Sequence, residues 1–142
     1  MADNNINKFV PESYKVMTTK HLVLYVEDNP ANMRLVEQLL KTFPDITLIG
    51  AETAEDGLEV LKEQTPDLIL MDINLPGMSG YDALAELKKQ DATKDIPVVA
   101  ISANALASDF DKGIAAGFSD YITKPINLQS FFSTIKKHLN IT

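Results

Sequence analysis

No cysteine occurs among the 142 residues, which excludes disulfide stapling and thiolate metal sites and fits a reducing, cytoplasmic compartment. No apolar run approaches the roughly 20 residues of a membrane helix, and the polar start MADNNINK lacks the apolar stretch of a signal peptide. The glycine loops that cradle phosphates are missing too: neither GxxxxGK nor GxGxxG is present, which argues against a nucleotide-binding protein. Positive charge is in deficit. Lys and Arg number 13 against 20 Asp and Glu, a formal net charge of -7, so neither nucleic acid nor an anionic membrane is expected as a partner. Repeats and low-complexity tracts are absent as well. What remains is a chain that is 45% hydrophobic, of a length suited to one domain around one sizeable core.

Residues 1–19 show neither helical nor strand periodicity and are interrupted by Pro11, so they read as a flexible N-terminal extension ahead of a folded domain over 20–142. From there the chain alternates. Short apolar runs at 22–26 (LVLYV), 46–51 (ITLIGA), 67–71 (DLILM), 97–102 (PVVAIS) and 119–123 (SDYIT) predict strands. Helical spacing lies between and after them. Asn29 caps and Pro30 opens the first helix, with Met33, Val36, Leu40 and Phe43 on one face. Thr53–Gln64, Ser79–Gln90, Ala105–Ala116 and a final helix carrying Leu128, Phe131, Phe132, Ile135 and Leu139 supply four more. Five βα units with nearly continuous hydrophobic middle strands predict an α/β fold: a parallel sheet covered by helices on both faces.

In such sheets chemistry gathers outside the carboxyl ends of the strands, where strand order reverses. Those positions hold Glu27 and Asp28 after the first strand, Asp72 after the third, Ser102 after the fourth and Lys124 after the fifth. If the first and third strands are neighbours, three carboxylates share one crevice. Two like charges about 4 Å apart repel by roughly 4 kcal/mol at an effective dielectric near 20, so a cation or a proton has to sit among them. Mg2+ suits an all-oxygen set and leaves positions for a phosphoryl oxygen. Lys124 then offers a cation to that group, Ser102 a hydroxyl, and Asp72, alone on the central strand, the nucleophile of an aspartyl phosphate. Singly, each residue reads as a turn former, a helix cap or a solvated charge. Their joint occurrence at four strand ends favours the site.

These motifs resemble the receiver domains of two-component response regulators, which also occur within hybrid histidine kinases. LVLYVEDNPANMRLV is similar to the family's first strand and acid pair, PDLILMDINLPGMSGYDAL to its phosphoacceptor strand and loop, IPVVAISANA to its fourth strand with the switch hydroxyl, and GFSDYITKPIN to its fifth strand with Lys-Pro. The resemblance spans about residues 20–140. It implies a flavodoxin-like, doubly wound, five-stranded sheet of order 2-1-3-4-5. It also implies a phosphoryl group passing to Asp72 from a phosphohistidine on a sensor histidine kinase or histidine phosphotransfer protein. Asp28, Asp72 and the backbone carbonyl of Asn74 would hold Mg2+, with Glu27 acting through water. Lys124 would pair with the phosphoryl group, Ser102 would move to it, and Tyr121 would turn inward behind. A cis Lys124-Pro125 bond is implied as well. Asn74 and Asn104 would govern water access to the phosphoryl group and so its lifetime.

The output surface implied is the face of the fourth helix, fifth strand and fifth helix, around Ala105, Tyr121 and Phe131, offered to a downstream protein by a monomer or weak dimer. A haloacid-dehalogenase-like phosphatase competes poorly: it resembles proteins with a second Asp two residues after the nucleophile, where Asn74 stands here, and an amide cannot shuttle a proton. Beyond its own phosphoryl transfer and autodephosphorylation, no enzymatic turnover is expected. The starting Met and polar leader favour a stand-alone single-domain regulator over a module excised from a hybrid kinase. His21, before a strand, and His138, near the end of the last helix, are not expected to carry phosphate. Gly57 is expected to serve close packing, Pro76 and Gly77 to shape the loop beside Asp72, and Gly117 to stop a helix.

Overall fold

A computed structural model describes residues 20–141; the predicted extension over 1–19 lies outside the described residues. Its elements are β1 (His21–Val26), α1 (Pro30–Leu40), β2 (Ile46–Ala51), α2 (Ala54–Val60), β3 (Leu68–Asp72), α3 (Gly80–Lys88), β4 (Val98–Ser102), α4 (Ala107–Ala116), β5 (Asp120–Thr123) and α5 (Leu128–Leu139). The five strands form one parallel sheet in the order β2-β1-β3-β4-β5, so β1 and β3 are direct neighbours, in register with Val26 opposite Met71.

Strand alternation divides the core. On one face Leu24, Val26, Ile69, Met71, Val98 and Ala100 pack with Ala83, Leu84 and Leu87 of α3. On the other, Val23, Tyr25, Leu70 and Ile101 pack with Val36 and Leu40 of α1 and Phe131, Ile135 and Leu139 of α5. β3 and β4 are buried along their whole length, which is why their runs read as uninterruptedly hydrophobic.

Helix starts follow side-chain caps. Asn29 accepts from the N–H groups of Ala31 and Asn32, Thr53 from Asp56, Ser79 from Asp82 and Asn127 from Ser130. Four helices are shorter than the sequence pattern predicts, with α2 stopping at Val60 rather than Gln64 and α3 at Lys88 rather than Gln90. α1 ends at Leu40, and Phe43 follows in a turn while still packing against the core. α4 begins at Ala107 rather than Ala105: Leu106 offers no cap oxygen, and its N–H is taken up by the Asp109 carboxylate at 3.2 Å. Gly117 ends α4 at φ 117, and Gly57 sits where a Cβ would lie 2.9 Å from Val26 Cγ2, as the packing expectation requires. The Lys124-Pro125 bond is cis. No helix among the described residues is long and apolar enough to cross a membrane.

Candidate functional site

The carboxyl ends of β1, β3, β4 and β5 converge. Leaving β1, Glu27 is pinned by its N–H to the carbonyl of Ala51 at 2.9 Å, and Asp28 follows just before the Asn29 cap. Asp72 and Ser102 are the last residues of their strands rather than the first after them. Lys124 follows β5 and is tied across to β4 by its N–H to the Ser102 carbonyl at 2.8 Å. Gly80, which opens α3, lies against the Asp72 backbone so closely that a Cβ would fall 2.5 Å from its carbonyl oxygen. No side chain fits there without moving main chain.

Lys124 bridges two acids. Its ammonium is 2.9 Å from Glu27 Oε1 and 3.1 Å from Asp72 Oδ2. Both carboxylates are buried, with Glu27 1% and Asp72 3% exposed, whereas Asp28 stands exposed at the rim. Carboxylate oxygens of the three lie within 4.8 Å of one another. Glu27 is heavily partnered: the Tyr25 hydroxyl donates to Oε1 at 2.9 Å and the Asn29 N–H to Oε2 at 3.3 Å. Asp72 takes the Asn74 N–H on Oδ1 at 2.9 Å.

These partners separate the two buried acids in charge. Burial pushes Glu27 up, but hydrogen bonds with Asp72, Lys124 and Tyr25 outweigh it and hold the group near 2. Burial and the neighbouring Glu27 raise Asp72 to about 6, against the opposing pull of Asn74 and Lys124. Burial lowers Lys124, yet its bonds to Glu27 and Asp72 raise it on balance, so it stays an ammonium. With all three acids ionised, one ammonium leaves two negative charges in excess. A hard divalent cation with oxygen ligands matches that donor set, and Mg2+ is such an ion.

Ser102 is fully buried, and its Oγ accepts the Asn104 N–H at 3.0 Å. Tyr121 is half-buried on β5 and donates its hydroxyl to the Asn104 carbonyl at 2.9 Å, so the β4–α4 loop links both expected switch residues. Asn74 and Asn104 are exposed beside the cluster's strand ends. Phe131 does not stand on an outer face, contrary to expectation: it is 0% exposed, drawn into the core against β1 and β4 by its place on the inner stripe of α5. The exposed large apolar residues nearby are Leu106, Phe110 and Ile114 on or beside α4 and Leu128 at the start of α5. His21 opens β1 at the strand end away from the acids, and His138 pairs with Asp120 at 3.2 Å; neither joins the cluster. Tyr25 and the Lys124–Glu27 pairing were not foreseen from sequence. Tyr25 left a trace, as a lone hydroxyl in an aliphatic strand two residues before Glu27 and hence on its face.

Known proteins share this arrangement of chain. The response regulator receiver domain family matches residues 23–136. The polar-differentiation response regulator DivK of Brucella anthropi is 39% identical over 117 residues, covering 82% of this chain and 94% of its own. The sensor histidine kinase CheAY of Helicobacter pylori is 30% identical over 142 residues, 99% of this chain but 17% of its own. Among solved structures, the receiver domain of a Pseudomonas aeruginosa sensor histidine kinase superposes with a TM-score of 0.77 at 29% identity, covering 86% of this chain and 99% of that domain. That structure holds a magnesium ion coordinated in its active-site cleft. The sheet order, the clustered acids and these matches agree, and the chain belongs to the response regulator receiver domains of two-component signalling, a family of regulatory domains.

Proposed function

We propose that this chain is a phosphoacceptor switch: Asp72 accepts a phosphoryl group from a phosphohistidine on a sensor histidine kinase or histidine phosphotransfer protein. The observation that carries the reading is the single ammonium of Lys124 held between buried Glu27 and Asp72, with Asp28 close by. An Asp72 carboxylate oxygen forms the new P–O bond as the P–N bond of the donor breaks, and the imidazole leaves with its electron pair and takes a proton. Asp28, Asp72 and the carbonyl of Asn74 would hold Mg2+, with Glu27 acting through water. Bound there, the ion neutralises charge on the phosphoryl oxygens. Lys124 moves from its carboxylate partners to the phosphoryl group, which is a stronger acceptor of charge-assisted bonds.

Ser102 gives up the Asn104 N–H to donate to a phosphoryl oxygen. Because Tyr121 donates to the Asn104 carbonyl, the same loop carries that change to the α4–β5–α5 face, where a downstream protein binds. Asn74 and Asn104, exposed near the site, govern water access and so the lifetime of the phosphoryl group. The 94% coverage of the Brucella anthropi DivK supports a stand-alone regulator; a cytoplasmic place and action as a monomer or weak dimer belong to the same reading, and the net charge of -7 speaks against direct nucleic-acid contact. The match to a segment of the Helicobacter pylori kinase supports a second reading, a receiver module within a hybrid kinase.

Incubation with Mg2+ and acetyl phosphate, followed by intact mass, is expected to show one added phosphate, absent from Asp72→Ala. An adduct that persists in Asp72→Ala sinks the assignment of the nucleophile. No adduct in the wild type sinks the switch itself.

A further inference from the structure

Tyr25 is buried in the core between the sheet, α1 and α5, where an aliphatic side chain or Phe would fill space equally well, yet its hydroxyl reaches Glu27 Oε1. That oxygen also receives Lys124, at 2.9 Å. Two protein donors therefore occupy Oε1, and only Oε2, whose sole partner among the described residues is the long 3.3 Å bond from Asn29, retains capacity for anything else. We infer that Tyr25 is a positioning residue that restricts Glu27 to one usable oxygen and thereby sets the size preference of the cation site. The inference rests on the metal site of the proposed function.

The chemistry is one of ligand count. Ca2+ gathers about six to eight oxygens and commonly takes both oxygens of a carboxylate, whereas Mg2+ holds to a tight octahedron and keeps several waters. A Glu27 that can offer one oxygen, directly or through water, serves the smaller ion and withholds the two-oxygen grip the larger ion favours. Without the Tyr25 hydroxyl, Oε1 keeps only Lys124, which has Asp72 at 3.1 Å as an alternative partner. The carboxylate can then turn to offer both oxygens.

The test is calorimetric titration of the metal-stripped full chain with MgCl2 and, separately, CaCl2 near neutral pH, for wild type, Tyr25→Phe, Glu27→Gln and the double variant. Tyr25→Phe is expected to tighten Ca2+ relative to Mg2+ by about threefold or more, because only the larger ion gains from a second carboxylate oxygen. An unchanged ratio, with both affinities weakened together or only thermal stability lowered, overturns the inference and leaves Tyr25 a packing residue. In the Glu27→Gln background, where no buried carboxylate is left short of a donor, adding Tyr25→Phe is expected to leave the ratio alone; a shift there also overturns it, since the effect would not run through Glu27. If Tyr25→Phe by itself fails to fold, a shift in this second comparison still overturns the inference. A wild type that binds no Mg2+, or binds it equally well as Asp28→Asn, defeats the proposed metal site itself, an outcome distinct from an unchanged ratio in a chain that binds.

Discussion

A Cβ built on Gly113 of α4 would stand 2.9 Å from Cδ2 of Tyr121 on β5, so the tyrosine ring lies flush on bare helix backbone. Glycine inside a helix costs about 1 kcal/mol relative to alanine. The ring explains the cost: Tyr121 reaches the Asn104 carbonyl only by lying across α4 at the residue without a side chain.

Gly113→Ala is therefore expected to change stability by no more than about 1 kcal/mol, since the gain in helix propensity offsets the lost Tyr121 hydrogen bond. Its effect appears in the switch. Tyr121 swings outward, and nuclear Overhauser contacts between its ring and residue 113 disappear. Persistence of the ring contact in the variant would count against the steric argument.

Asp72→Asn should stabilise the metal-free protein at neutral pH. The folded state raises Asp72 from 3.8 to about 6, so ionising it works against folding. Below the unfolded value both states are protonated and the carboxyl costs nothing; the penalty builds as pH rises from about 4 to 6 and is complete above. At 1.36 kcal/mol per pH unit, the rise from 3.8 to about 6 makes the gain in Asp72→Asn about 3 kcal/mol near pH 7, and it fades as pH falls toward 4. Urea denaturation of both proteins across that range checks it, and an equal gain at both ends would contradict the cause.

The same proton competes with metal. If Mg2+ takes the Asp72 carboxylate as proposed, affinity should be level above about pH 6 and fall by up to tenfold per unit below it, where uptake of metal releases one proton. Titrations in buffers of different ionisation enthalpy measure the proton directly. Affinity that stays flat down to pH 5 would remove Asp72 from the ligand set.

Lys124→Met leaves two buried carboxylates without their ammonium. Removing one partner of a buried pair costs about 3–5 kcal/mol, and the partial exposure of Lys124 reduces that to about 2 kcal/mol near neutral pH. The loss shrinks on acidification, as Asp72 and then Glu27 take up protons, and it shrinks on adding Mg2+. Chemical denaturation at two pH values, with and without the ion, separates this from a packing defect, which none of these conditions would relieve.

The acid pair, the lone Asp72, Ser102 and Lys124 were all legible, because in a parallel sheet the strand ends meet on one edge and each of these residues sits at a strand end. Asn29, Thr53, Ser79 and Asn127 announced their helices through local caps. Ala105 misled, since apolar spacing continues past the point where a cap is needed and Leu106 cannot supply one. Phe131 misled for another reason: its apolar spacing with Ile135 and Leu139 already marked the core-facing stripe of the last helix, and the expectation that it stands on the output face ran against that pattern.

The sequence by itself determined the alternation of strands and helices, the end of each strand to within a residue and the excess of acid at those ends. Each depends on periodicity or on neighbours a few residues apart. The tertiary structure alone decided that Lys124 meets Glu27 as well as Asp72, that Tyr25 closes one oxygen of Glu27, and that Tyr121 lies on Gly113. Tyr25 and Glu27 share a strand face, but which donor reaches which oxygen, like every contact between residues far apart in the chain, is set by strand order, register and docking. Those are properties of the whole packed sheet, which no local preference encodes.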